Sequence, residues 1–126
     1  YIMKVHPRGG NAQWHLEKAQ ASGVPCIVTD KYLDIVLVAM NFGLAYGPSN
    51  VLLEAAAMNK SIGSVNGFRD DQEVIKTDPA PEHIAQAILQ GLTSKVPLNS
   101  FVQKYAGFAD GLSTRRVVEV FRTLVK

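Results

Sequence analysis

Short apolar runs alternate with segments of helical period along most of this chain. Residues 2–6, 25–29, 43–46 and 61–65 read as strands, each closed by Gly, Pro, Asn or Asp. Helical patterns fit between them, over 11–22, 33–40 and 50–59. Asn11 is placed to cap the first helix and Gly23 to stop it. Repeated β-α units with short apolar strands predict one parallel sheet with helices on both faces. After 61–65 the pattern changes, and 66–79 reads as polar and irregular. Pro81 suits the first turn of a helix whose stripe is Ile84, Ala87, Ile88 and Leu92. A short helix is expected over 98–105 and a last one over 113–125. The last carries Val117, Val120, Phe121 and Leu124 on one face and Arg115, Arg116, Glu119 and Arg122 on the other.

At 126 residues the chain is long enough for one domain with a real core. Four strands separated by one short helix each argue for a single sheet rather than two domains. The net charge of +2, with no run of Lys or Arg, argues against a nucleic-acid partner. The single cysteine, Cys26, rules out an internal disulfide and a cysteine-cluster metal site, and its apolar run predicts a buried thiol. The longest apolar run, 35–40, falls far short of the roughly 18 residues of a membrane span. With no secretory signal visible, a cytoplasmic setting is the expectation. The chain opens on Tyr1 inside a strand pattern, so it is expected to be a piece of a longer protein whose N-terminal portion is absent.

Two places carry candidate chemistry. The first is Gly47-Pro48-Ser49-Asn50, between the strand ending at Tyr46 and a helix starting at once. Gly47 and Pro48 break the strand, and Ser49 or Asn50 caps the helix. Backbone N–H groups and a positive helix end then sit at the carboxyl tip of a strand, a site suited to phosphate. Glu54 lies one turn further on, within reach of a ribose hydroxyl beside that phosphate, though a carboxylate there is also favoured simply by the helix dipole. Small residues Ala55, Ala56 and Ala57 allow close packing. The second place is Lys4-Val5-His6-Pro7-Arg8. His6 and Arg8 fall at or beyond a strand's carboxyl end, where open α/β sheets bind ligands, and both suit an anion. Lys4 is expected to lay its stem along the sheet.

Other titratable residues read as less specific. His15 and His83 are expected to be solvated, with no spacing that makes a metal site. Asp30 ends a strand but serves equally as a turn residue. Asp70 and Asp71 are adjacent in an irregular loop and do not read as a catalytic pair. Trp14 occupies a helix position open to the core.

With these residues placed, the chain resembles the C-terminal half of a GT-B glycosyltransferase and the related UDP-N-acetylglucosamine 2-epimerases. The matching pieces are Lys4-Val-His-Pro-Arg8, then Gly47-Pro-Ser-Asn-Val-Leu-Leu-Glu-Ala-Ala56 followed by Asn59-Lys60-Ser-Ile62, and Tyr105-Ala-Gly-Phe-Ala-Asp-Gly111 leading to Ser113-Thr-Arg-Arg116. The family's Gly-Lys-Pro turn is Asn59-Lys60-Ser61 here, and the epimerases' catalytic acids have no clear counterpart. The resemblance implies a Rossmann-like domain, half of a GT-B fold, ending in C-terminal helices. It implies binding of the nucleotide part of a UDP-, CDP- or CMP-linked sugar, in surface polysaccharide synthesis. Gly47, Ser49 and Asn50 would hold phosphate together with His6 and Arg8, and Glu54 the ribose. No cofactor or metal is implied. The acceptor site would lie in the absent N-terminal domain, through which the protein would also meet a membrane. The half alone is then expected to be inactive, and to self-associate through an exposed sheet edge unless the 113–125 helix covers it. The alternatives are the corresponding half of a sugar epimerase and a doubly wound binding module without chemistry.

Overall fold

A computed structural model describes residues 1–5, 11–29, 33–107 and 111–124. The chain is α/β and Rossmann-like, with parallel strands flanked by helices and a helix at its C-terminal end. The strands form two sheets, not the single one that the pattern suggests. Each belongs to one of two compact units, Tyr1–Met40 and Asn41–Lys126.

The first unit holds β1 (Ile2–Lys4), α1 (Ala12–Ala21), β2 (Ile27–Thr29) and α2 (Leu33–Ala39). β1 and β2 pair in parallel, Ile2 opposite Ile27, and Val5 N–H extends the ladder to the Thr29 carbonyl at 3.0 Å. Asn11 caps α1 as expected, accepting from Trp14 N–H at 3.0 Å. Gly23 follows with φ +68°, a conformation glycine adopts at little cost. Val5 and Leu37 are buried here. Two expectations fail. Trp14 is exposed, its ring edge against His15 and under the Lys18 ammonium, because α1 buries none of its side chains. Cys26 is half-buried rather than enclosed, because the strand begins only at Ile27, which is itself exposed.

The second unit holds β3 (Phe42–Tyr46), α3 (Asn50–Ala57), β4 (Ser61–Val65), β5 (Ile75–Thr77), α4 (Pro81–Thr93), α5 (Asn99–Ala106) and α6 (Ser113–Leu124). Its sheet runs β3-β4-β5, all parallel. β5 lies inside the stretch read as irregular. Three residues, Ile-Lys-Thr, are too few to show a period, and only Ile75 among them is buried.

The central strand carries a glycine where its neighbours lean over it. A Cβ on Gly63 would fall 2.7 Å from the Phe42 ring. A Cβ on Gly91 of α4 would fall 2.1 Å from the same ring, so α4 lies on the face that carries Phe42 and Leu44. Gly91 thus takes the inward place in α4, and Leu92, expected in the stripe, is exposed. Ile62 and Ser64 point to the other face, where α3 buries Leu52, Ala55 and Ala56. α5 packs on α3 with Phe101 and Val102 inside. Each fully buried large side chain, such as Leu52, Ile62 or Phe101, contributes about 1.5–3 kcal/mol. The apolar stripe of α6 is exposed at Val117, Val120 and Phe121, so among the described residues it covers no sheet edge.

Candidate functional site

The three strands of the second unit end flush. Tyr46 pairs with Val65, and Val65 with Thr77, so the turns after them leave one common carboxyl edge. Ligands of open parallel sheets bind at such an edge.

The turn after β3 is held from two sides. Gly47 stands at φ +64°. Its N–H donates to the Val65 carbonyl at 2.8 Å, and its carbonyl accepts from Ser64 Oγ at 2.8 Å. Ser64 is fully buried, so this bond also satisfies a hydroxyl that would otherwise cost free energy. The turn after β4 presses against the first. A Cβ on Gly67 would fall 2.4 Å from the Gly47 backbone, so only glycine fits there. Asn66 and Phe68, on either side of it, are both left-handed, at φ +59° and +49°. For a phenylalanine this is a strained backbone. Edge-to-face contacts with Phe101 at 5.2 Å and Tyr105 at 5.4 Å hold it.

Pro48 and Ser49 then lead into α3. Ser49 occupies the cap position with extended backbone, φ −116° and ψ 133°, but its side chain makes no cap hydrogen bond. Helix geometry leaves the N–H groups of Asn50 and Val51 without intrahelical acceptors. The first turn contains no carboxylate. α4, which starts from the same edge, is different. Its amino end is already filled: Asp78 accepts from Ala80 N–H at 2.9 Å, and Glu82 sits in the first turn. Of these two helix ends, α3 is the one left open to an anion. Glu54 is exposed on α3, away from the buried Leu52, Ala55 and Ala56. His6, Arg8 and Asp30 lie outside the described residues. The structure therefore brings Gly47, Ser49 and Asn50 together at one edge, with Glu54 on the helix they begin.

Three features of this edge were not singled out from sequence. The Asn66-Gly67 dipeptide is a turn signal, but nothing local shows that it braces Gly47. Tyr46 projects from the strand tip, 71% exposed. His83 is exposed as expected, but Asp78 accepts a hydrogen bond from its Nδ1 at 2.8 Å. That bond and the charge of Asp78 raise the imidazole above its ordinary 6.5. The Ala80 N–H, then His83, hold Asp78 below its ordinary value.

Asp71 is the one buried carboxylate among the described residues. It accepts from Lys104 Nζ at 2.6 Å and from Tyr105 Oη at 2.7 Å, tying the loop after β4 to α5. Burial pushes its carboxyl up, but the two hydrogen bonds and the charges of Lys104 and Lys76 outweigh this and hold it below 3.8. Asp70 beside it is exposed, so the two form no carboxylate pair. An open groove of about 630 Å3 runs between Asp70–Glu73 and the α5 residues Ser100, Phe101 and Lys104. A wider one, about 1020 Å3, passes Asn41 and Ser61 at the amino ends of β3 and β4. Among the described residues no cluster of His, Cys, Asp and Glu makes a metal site.

No family model matches the chain, and no curated protein and no solved structure matches it.

Proposed function

We propose that the chain binds the nucleotide-phosphate part of an activated sugar, as the C-terminal half of a glycosyltransferase of surface polysaccharide synthesis. The observation that carries this reading is the open amino end of α3 at a flush parallel-sheet edge, behind a turn held rigid by Ser64 and Gly67. Phosphate oxygens accept from the N–H groups of Asn50 and Val51 and from Ser49 Oγ. The helix dipole favours the negative charge, worth about 0.3–1 kcal/mol when exposed. Pre-set backbone adds affinity because less freedom is lost on binding. Glu54, exposed on the same helix, accepts a hydrogen bond from a ribose hydroxyl.

Titrating UDP, CDP and CMP into the chain while recording amide resonances tests this. Shifts centred on 47–50 are expected, and Glu54→Ala should weaken binding by about 1.5–3 kcal/mol without unfolding the protein. Shifts centred elsewhere, or none at millimolar nucleotide, refute the assignment.

A further inference from the structure

We propose that α6 docks on an anionic membrane surface, lying in the headgroup layer with its apolar face down. This goes beyond nucleotide binding and does not depend on it. Val117, Val118, Val120 and Phe121 are all exposed, Phe121 at 62%. At about 100° per residue they fall on one side of the helix, and Arg115, Glu119 and Arg122 on the other. Arg122, exposed, stands at the margin of the apolar face beside Val118, where a long basic side chain reaches lipid phosphates while its stem lies along apolar surface. The helix carries three arginines against Glu119, a formal excess of positive charge, and Arg115 donates to Glu119 at 3.1 Å.

The charge pattern selects the occupant. An apolar groove on a protein would engage the valines and Phe121, and would need an acidic rim to engage Arg122 as well. A planar anionic surface engages all of them at once, the pattern of helices that lie in a membrane interface. A second copy of the chain is a poor alternative. Twelve residues at 1.5 Å each make a helix about 18 Å long, too short to bury the ~800 Å2 per partner of a standard interface. Nor does the helix span, since among the described residues none is long and apolar enough.

Flotation of the full chain with phosphatidylcholine vesicles, with and without phosphatidylglycerol, tests the proposal. Binding is expected only with the anionic lipid and should fall as salt rises. Arg122→Ala should weaken it about fivefold, the equivalent of ~1 kcal/mol per basic residue at such a surface. Phe121→Ser should weaken it by roughly tenfold or more, from lost apolar burial. Both positions are exposed, and circular dichroism checks that each variant is folded; Arg122→Ala carries the test if Phe121→Ser is not. Three results would overturn the proposal: protein that stays in solution at every lipid composition, equal binding to neutral vesicles that Arg122→Ala leaves unchanged, or a dimer lost in Phe121→Ser without vesicle binding.

Discussion

Replacing Lys104 by methionine should destabilise the second unit more than replacing Asp71 itself by asparagine. The two residues form one ion pair, but their surroundings differ. The Asp71 side chain is 5% exposed and that of Lys104 is 53% exposed. Asp71→Asn removes the charge from the buried side, and the Lys104 ammonium turns to water. The loss is then two hydrogen bonds to a charged acceptor, offset by rehydration of both donors, about 1–2 kcal/mol net. Lys104→Met instead leaves a buried carboxylate with the Tyr105 hydroxyl and only the unbonded charge of Lys76. Removing one partner of a buried pair is costly because the remaining charge is uncompensated. Urea denaturation of both variants reads the order directly, with m-values checked for a two-state transition. The acid limb gives a second reading. Asp71 is depressed in the folded state, so its contribution is fully present above 3.8 and is lost as pH falls through its lower folded value. The gap between wild type and Asp71→Asn should therefore close in acid. If Asp71→Asn proves the more damaging change, or if the gap persists in strong acid, the pair is not the clamp between this loop and α5.

The two glycines at the carboxyl edge should respond for different reasons. Gly67→Ala forces a Cβ into the Gly47 backbone, so it should cost about 1–3 kcal/mol by overpacking and weaken nucleotide binding by displacing the turn. Gly47→Ala meets open space but must hold φ +64°, so it should cost only about 1–2 kcal/mol, from conformation alone; thermal unfolding and nucleotide titration of both variants check the contrast. The imidazole of His83 should titrate above 6.5 by NMR and return towards it in Asp78→Asn, and an unchanged midpoint in that variant would remove Asp78 as the cause. The stability that His83 contributes should be complete below 6.5 and fade as pH rises through its folded value.

Local physics made several elements legible without tertiary information. Asn11 and Gly23 mark the ends of α1 because capping and left-handed backbone depend on neighbouring residues alone. Pro81 marks the start of α4 in the same way. The parallel α/β class followed from alternating periods, and Gly47-Pro48-Ser49-Asn50 stood out because strand end, break and helix start are contiguous. What remained hidden depends on contacts far apart in sequence. That Ser64 and Gly67 lock Gly47, that Gly91 rather than Leu92 faces the sheet, and that Asp71 is buried against Lys104 are decided only when strands and helices pack. A buried charge and a glycine under a ring look like any loop aspartate and any helix glycine until their partners arrive. Trp14 and Cys26 show the reverse case: two residues read as core candidates, of which the fold leaves one exposed and the other half-buried, because the elements carrying them bury little.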